Sequence, residues 1–92
     1  MIETNEISIQ QARAFRFLQQ AKGKWITARE LAKGADVAER SARMYAKRFV
    51  DLGIADQAEL FPGHRYRLST VATKRNVGYM KRIEAACEVF GI

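Results

Sequence analysis

Thr27-Ala-Arg-Glu-Leu-Ala-Lys-Gly34, followed one residue later by Asp36-Val-Ala-Glu-Arg-Ser-Ala-Arg-Met-Tyr-Ala-Lys-Arg-Phe-Val-Asp-Leu-Gly53, is the stretch whose reading decides the fold. Thr27 and Glu30 have the spacing of a capping box, in which each side chain satisfies an amide at the other's end of the first turn. The helix they open is brief. Leu31 and Ala32 are its inward residues, Arg29 and Lys33 point outward at i, i+4, and Gly34 is expected to close it. Asp36-Val-Ala38 leads into a longer helix, Glu39 to Leu52, which Gly53 stops. Placing its residues at 100° intervals puts Ala42, Tyr45, Ala46, Phe49 and Leu52 on one side and Arg40, Arg43, Met44, Lys47 and Asp51 on the other. Two helices joined by a tight turn follow, the second with an apolar back and a basic front.

The flanks are punctuated by Gly and Pro. Residues 1–6 are polar and acidic, a loose tail. From Ser8 to Lys22 the pattern is helical, with Ile7, Ala14, Leu18 and Ala21 on one face and Gly23 as the stop. Phe15 and Phe17 flank that face two positions apart, so one is expected to pack inward and the other against a further element. Trp25-Ile26 is a short β-prone pair, and Trp25, Phe15 and Phe49 are assigned to the core. Ile54 to Leu60 reads as a strand, Phe61-Pro-Gly-His64 as a turn, and Arg65-Tyr-Arg-Leu68 alternates at period two, which makes a β-hairpin with a basic return strand. Met80, Ile83, Cys87 and Phe90 repeat at helical spacing and predict a last helix from Asn76 or Gly78 to Phe90, with Asn76 as its candidate cap. The chain therefore reads as mainly α with a small hairpin, an α+β class. Its divisions are a tail over 1–6, a domain over 7–69 and a C-terminal helix over 70–92.

Composition narrows the chemistry. The 92 residues are 48% hydrophobic and 10% aromatic, enough for one packed domain. Sixteen Lys plus Arg against 10 Asp plus Glu give a formal charge of +6, and a pI near 9.9 points to a polyanion, nucleic acid or a membrane surface. No run approaches the ~20 apolar residues of a membrane span, and Met-Ile-Glu-Thr-Asn-Glu lacks signal-peptide character, so a cytoplasmic protein with no membrane partner is expected. One cysteine, Cys87, allows no internal disulfide and reads as a small buried hydrophobe; one histidine, His64, leaves no zinc cluster. No metal, cofactor or small-molecule ligand is expected. Without a Gly-rich loop before a helix or an H-x-x-x-H pair, the usual nucleophile and metal constellations cannot be assembled, so no enzyme is expected.

The stretch from Trp25 to Leu68, about half the chain, resembles the winged helix-turn-helix family of prokaryotic DNA-binding proteins, in the broad sense that includes MarR-like, ArsR-like and DeoR-like regulators. The likeness rests on Thr27-Ala-Arg-Glu-Leu-Ala32, Val37-Ala-Glu-Arg-Ser41 and Lys47-Arg-Phe-Val-Asp-Leu-Gly-Ile54. It extends to the hairpin by position. Two departures stand out. Ala38 replaces the usual Ser or Thr, which removes a helix cap worth ~1 kcal/mol unless Asp36 serves instead. Tyr45-Ala46 replaces a small residue followed by Leu.

The resemblance implies a winged helix-turn-helix with an added C-terminal helix, in which residues 38–52 enter the major groove of double-stranded DNA and residues 54–69 form the wing. Arg40 and Arg43, early on the outward face, are the base-reading candidates, since Arg can bond bidentately to guanine O6 and N7. Ser41 and Met44 join them, the latter against a thymine methyl. Thr27, Arg29, Lys47 and Arg48 suit phosphates, and His64, Arg65 and Arg67 are the wing's candidates. The family often dimerises through a helix outside the winged core, which would place Phe17, Met80, Ile83, Cys87 and Phe90 in a homodimer interface. The function expected is sequence-specific DNA binding by a small transcriptional regulator. The alternatives are an architectural DNA-binding factor and a winged protein-interaction module, and the last of these calls for an apolar outward face on the second helix.

Overall fold

The computed structural model describes residues 7–60, 63–69 and 77–92. The first helix, α1 (Ile9–Gln20), starts at Ser8, whose hydroxyl accepts the Gln11 amide at 3.1 Å. Lys22 and Gly23, at φ 53° and 86°, turn the chain out of it. A two-residue strand, β1 (Ile26–Thr27), leads directly into α2 (Ala28–Ala35). The capping box is formed as read: Glu30 N donates to Thr27 Oγ1 at 3.1 Å, and Thr27 N donates to the Glu30 carboxylate at 2.9 Å.

The turn after α2 departs from the sequence reading. Gly34 does not close the helix. Asp36 does, in the left-handed conformation (φ 58°), with its amide directed to Lys33 O and the Val37 amide to Ala32 O at 3.0 Å. This is a Schellman closure in which aspartate fills the position that glycine usually takes. Gly34 is needed for another reason. A β-carbon there would lie 2.2 Å from the Phe17 ring, so the missing side chain lets α1 approach α2. Phe17 is thus the outward member of the phenylalanine pair, while Phe15 is fully buried.

The basic helix is α3 (Glu39–Asp51), with Ala38 at its N-cap and no side-chain cap, so Asp36 does not substitute. Ala42, Tyr45, Ala46 and Phe49 are buried, and Gly53 at φ 81° ends the helix as expected. Strands β2 (Ala55–Leu60) and β3 (Gly63–Leu68) follow. The turn is shorter than read: Leu60 pairs with Gly63, and Gly63 and His64 belong to β3. Only Phe61 and Pro62 connect the strands, and they lie outside the described residues. The hairpin also gains a third strand, because β1 pairs with β3 through Ile26↔Tyr66 and Thr27↔Arg65, giving the antiparallel order β1-β3-β2.

The last helix, α4 (Val77–Phe90), packs on α1. The expected cap, Asn76, falls outside the described residues. Tyr79, Ile83 and Cys87 are the buried face; Met80 is half-buried and packs against the core, and Phe90 is exposed. Periodicity alone could not choose between the stripes, since both share Ile83 and Cys87. The core is one cluster: Phe15 meets Phe49 edge to face at 6.2 Å, Phe49 meets Tyr79 at 6.5 Å, and the Cys87 thiol donates to Ala12 O. Burial of this kind contributes about 1.5–3 kcal/mol for each large side chain. It holds α1, α3 and α4 as one support behind the outward face of α3.

Candidate nucleic-acid interface

The back of α3 is anchored by Ala42, Ala46 and Phe49, each without solvent exposure, so its front is forced outward. Arg40, Arg43, Met44, Lys47 and Asp51 are all exposed there, and Met44 keeps 48% of its surface. Ser41 is half-buried at the margin. The raw count of cations overstates the free charge. Arg43 Nη2 pairs with Glu39 Oε2 at 3.0 Å and Lys47 Nζ with Asp51 Oδ1 at 3.7 Å, both one turn apart along the helix. Arg40 makes no ion pair among the described residues.

Arg43 and Arg48 are five residues apart, about 140° around the helix, and they serve opposite flanks. Arg43 faces the hairpin: with Glu39, Ala28, Gly63, His64 and Tyr66 it lines a cleft of about 260 Å³. Burial pushes the Tyr66 hydroxyl above its ordinary pKa of 10.0, and the neighbouring Arg43 charge opposes that rise. Arg48 faces α1, where its Nη1 donates to Gln11 Oε1 at 3.1 Å and Gln11 Nε2 donates in turn to the Tyr79 hydroxyl. Arg48 therefore stands apart from Arg40, Arg43 and Lys47. Gln11 is the one polar side chain buried in the core among the described residues. Its position four residues before Phe15 and seven before Leu18 was the available signal.

In the hairpin the three candidates divide between faces. Tyr66 is buried on the helix side, so its period-two neighbour His64 lies on that side, while Arg65 and Arg67 lie on the outer one. His64 Nδ1 meets Gln57 Nε2 at 3.3 Å. Arg67 is held in place: its guanidinium sits 4.3 Å from the Trp25 ring centre and its Nε lies 3.4 Å from Asp56 Oδ2. Trp25 is accordingly not core but a half-buried platform for that arginine. Arg65 has no such anchor among the described residues and lies directly across from Thr27 and Ala58.

At the start of α2, Arg29 is exposed, but the Glu30 carboxylate already holds the Thr27 amide. The anion drawn to this helix end is the chain's own. The expected dimer residues also separate. Ile83 and Cys87 have no exposed surface, being packed inside the chain, and burial raises the Cys87 thiol above its ordinary pKa of 9.0. Phe17 lies against Gly34. Phe90 is exposed, together with Val77, Val89 and Ile92, which the sequence reading had not singled out.

Helix, strand, helix, tight turn, basic helix and hairpin, in this order and with this pairing, make a winged helix-turn-helix fold extended by a C-terminal helix. The same fold is found in solved structures of transcriptional regulators. The chain is similar to a MarR family transcriptional regulator from Silicibacter pomeroyi DSS, with 16% identity, coverage of 95% of this chain and 58% of that one, and a TM-score of 0.62. It is similar to the transcriptional regulator PA4135, with 18% identity, coverage of 95% and 65%, and a TM-score of 0.61. NadR, solved in complex with 4-hydroxyphenylacetate, shares 21% identity over 98% of this chain and 68% of its own length, with a TM-score of 0.56. The chain thus spans 58% to 68% of the length of these proteins. No protein-family model matches the sequence, and no curated protein does. Among the described residues, no helix is long and apolar enough to cross a membrane.

Proposed function

We propose that the chain binds double-stranded DNA sequence-specifically as a small, non-catalytic transcriptional regulator, with residues 38–52 in the major groove and residues 54–69 as the wing. The observation that carries this reading is the exposed front of α3, where Arg40, Arg43, Met44 and Lys47 project from a helix whose back is locked in the core. A helix with that front fits a groove lined by base edges and flanked by phosphates. The protein-interaction alternative calls for an apolar front, which this helix lacks. Arg40 and Arg43 read base edges, with Ser41 and Met44 beside them, and Lys47, Arg29 and Arg65 take phosphates. His64 closes the cleft between wing and helix, and Arg67 stiffens the wing from Trp25. Arg48 and Thr27 play smaller parts, since each is engaged within the chain. A homodimer built on the exposed end of α4, where Val89 is 83% and Phe90 38% exposed, presents two such fronts to one duplex.

Duplex affinity measured between about 50 and 200 mM salt tests the proposal. A log-log slope of about −0.9 per phosphate neutralised is expected. Affinity that does not change with salt, or that is equal for every duplex in a random library, overturns it.

A further inference from the structure

We infer that Glu39 is a positioning residue for base recognition, holding Arg43 so that the wing-side end of α3 selects guanine. The inference rests on the DNA-binding reading and adds to it a residue that charge counting argues against, since an acid in a DNA-facing surface repels phosphate.

The geometry gives it a role. Glu39 is the first residue of α3 and Arg43 lies one turn on, with Oε2 and Nη2 3.0 Å apart and the two side chains 48% and 57% exposed. An unrestrained arginine on an open helix face samples many rotamers and reaches phosphate as readily as base. Tying one Nη2 proton to a carboxylate biases that sampling toward one orientation before DNA arrives. The guanidinium carries five donors, so the bond to Glu39 leaves the other Nη2 proton and the Nη1 protons as a fork. That fork matches guanine O6 and N7. The carboxylate also sits on the cleft shared with His64 and Tyr66, between α3 and the wing. There its charge opposes a phosphate that would otherwise draw Arg43 aside. In water such an exposed i, i+4 pair adds little to stability, so its consequence lies in binding and not in folding.

The test uses duplexes selected by the wild-type chain from a random library, each compared with a scrambled duplex by fluorescence anisotropy. Wild type, Glu39→Ala, Arg43→Ala and the double variant are measured at one salt concentration. Arg43→Ala is expected to lose between about fivefold and about a hundredfold of the ratio of selected to scrambled affinity, and Glu39→Ala a smaller part of it, about twofold to fivefold. The double variant should lose no more than Arg43→Ala alone. Glu39→Ala should also relax the base requirement at a single guanine, the same one that Arg43→Ala relaxes. Undiminished selectivity in Glu39→Ala beside lost selectivity in Arg43→Ala overturns this inference and leaves the DNA reading standing, as do losses that simply add. A wild-type chain that prefers no duplex overturns both.

Discussion

Gln11 is a buried polar side chain with two partners, and removing it should reveal how much the core depends on that bridge. It is 2% exposed, donates from Nε2 to the Tyr79 hydroxyl and accepts from Arg48 Nη1 at 3.1 Å. Gln11→Met keeps the length, the unbranched shape and nearly the same helix propensity, so packing changes little. Arg48 is exposed and recovers water. Tyr79 is 8% exposed, so its hydroxyl loses a partner that water cannot easily replace. An unsatisfied group of this kind costs about 1–3 kcal/mol. Tyr79→Phe alone strands the Gln11 amide in the same way. Replacing both removes both orphaned groups, and the double variant should lie within about 0.5 kcal/mol of wild type, a coupling of at least ~1 kcal/mol. Urea unfolding at 25 °C resolves this: with a slope of about 2 kcal/mol/M, each single variant moves the midpoint by about 0.5–1.5 M. Single losses that add in the double variant, or a neutral Gln11→Met, refute the claim that the bridge acts as a satisfied pair.

The remaining expectations use the same assay unless stated. Ala38→Ser should stabilise by about 0.5–2 kcal/mol, because Ala38 already has the extended backbone of an N-cap (φ −66°, ψ 150°) and lacks only the oxygen; no gain would place the helix start elsewhere. Burial raises Tyr66, Tyr79 and Cys87 above their ordinary values of 10.0, 10.0 and 9.0, so above about pH 9 the unfolded chain releases protons that the native chain keeps. The contribution of these three groups should therefore be constant below that pH and fall as pH rises beyond it, and an unchanged urea midpoint between about pH 8 and about pH 10.5 contradicts their burial. Gly34→Ala trades a helix-propensity gain of about 1 kcal/mol for a collision with the Phe17 ring costing about 1–3 kcal/mol, so it should destabilise in wild type and stabilise in a Phe17→Leu background. Asp51→Asn, which frees Lys47, should raise affinity for all duplexes about equally, and a change in base preference would assign Lys47 to bases instead.

Much of this was legible because local rules and the tertiary structure agree. The capping box at Thr27, the stop at Gly53 and the inward set Ala42, Tyr45, Ala46 and Phe49 each follow from signals within a turn or two. The failures came where a residue answers to a distant partner. Gly34 looked like a helix stop, but its reason is the Phe17 ring on another helix, while the actual left-handed position went to Asp36. Trp25 looked like core because large aromatics usually are. Its ring is instead met by Arg67, a neighbour that only the pairing of β1 with β3 brings to it. Ile83 and Cys87 marked an apolar stripe correctly, yet no stripe declares whether it meets its own chain or a second copy.

The two ion pairs on α3 show why counting charge along a sequence misjudges an interface. Both join residues one turn apart and both are exposed, so both are weak in water. Their places on the helix differ. Glu39 lies in the first turn, where the helix dipole favours a carboxylate, and Asp51 ends the last, where the dipole disfavours one. A phosphate approaching Lys47 therefore displaces a carboxylate that the helix already holds poorly, and the lysine exchanges one anion for another. An anion approaching Arg43 meets a carboxylate that the helix retains, so under the same proposal the arginine would keep its orientation and offer its remaining donors to a base edge. Under the DNA-binding proposal, the same pairing would lead to a phosphate contact at one end of the helix and to selective reading at the other. Neither outcome is contained in the net charge of +6.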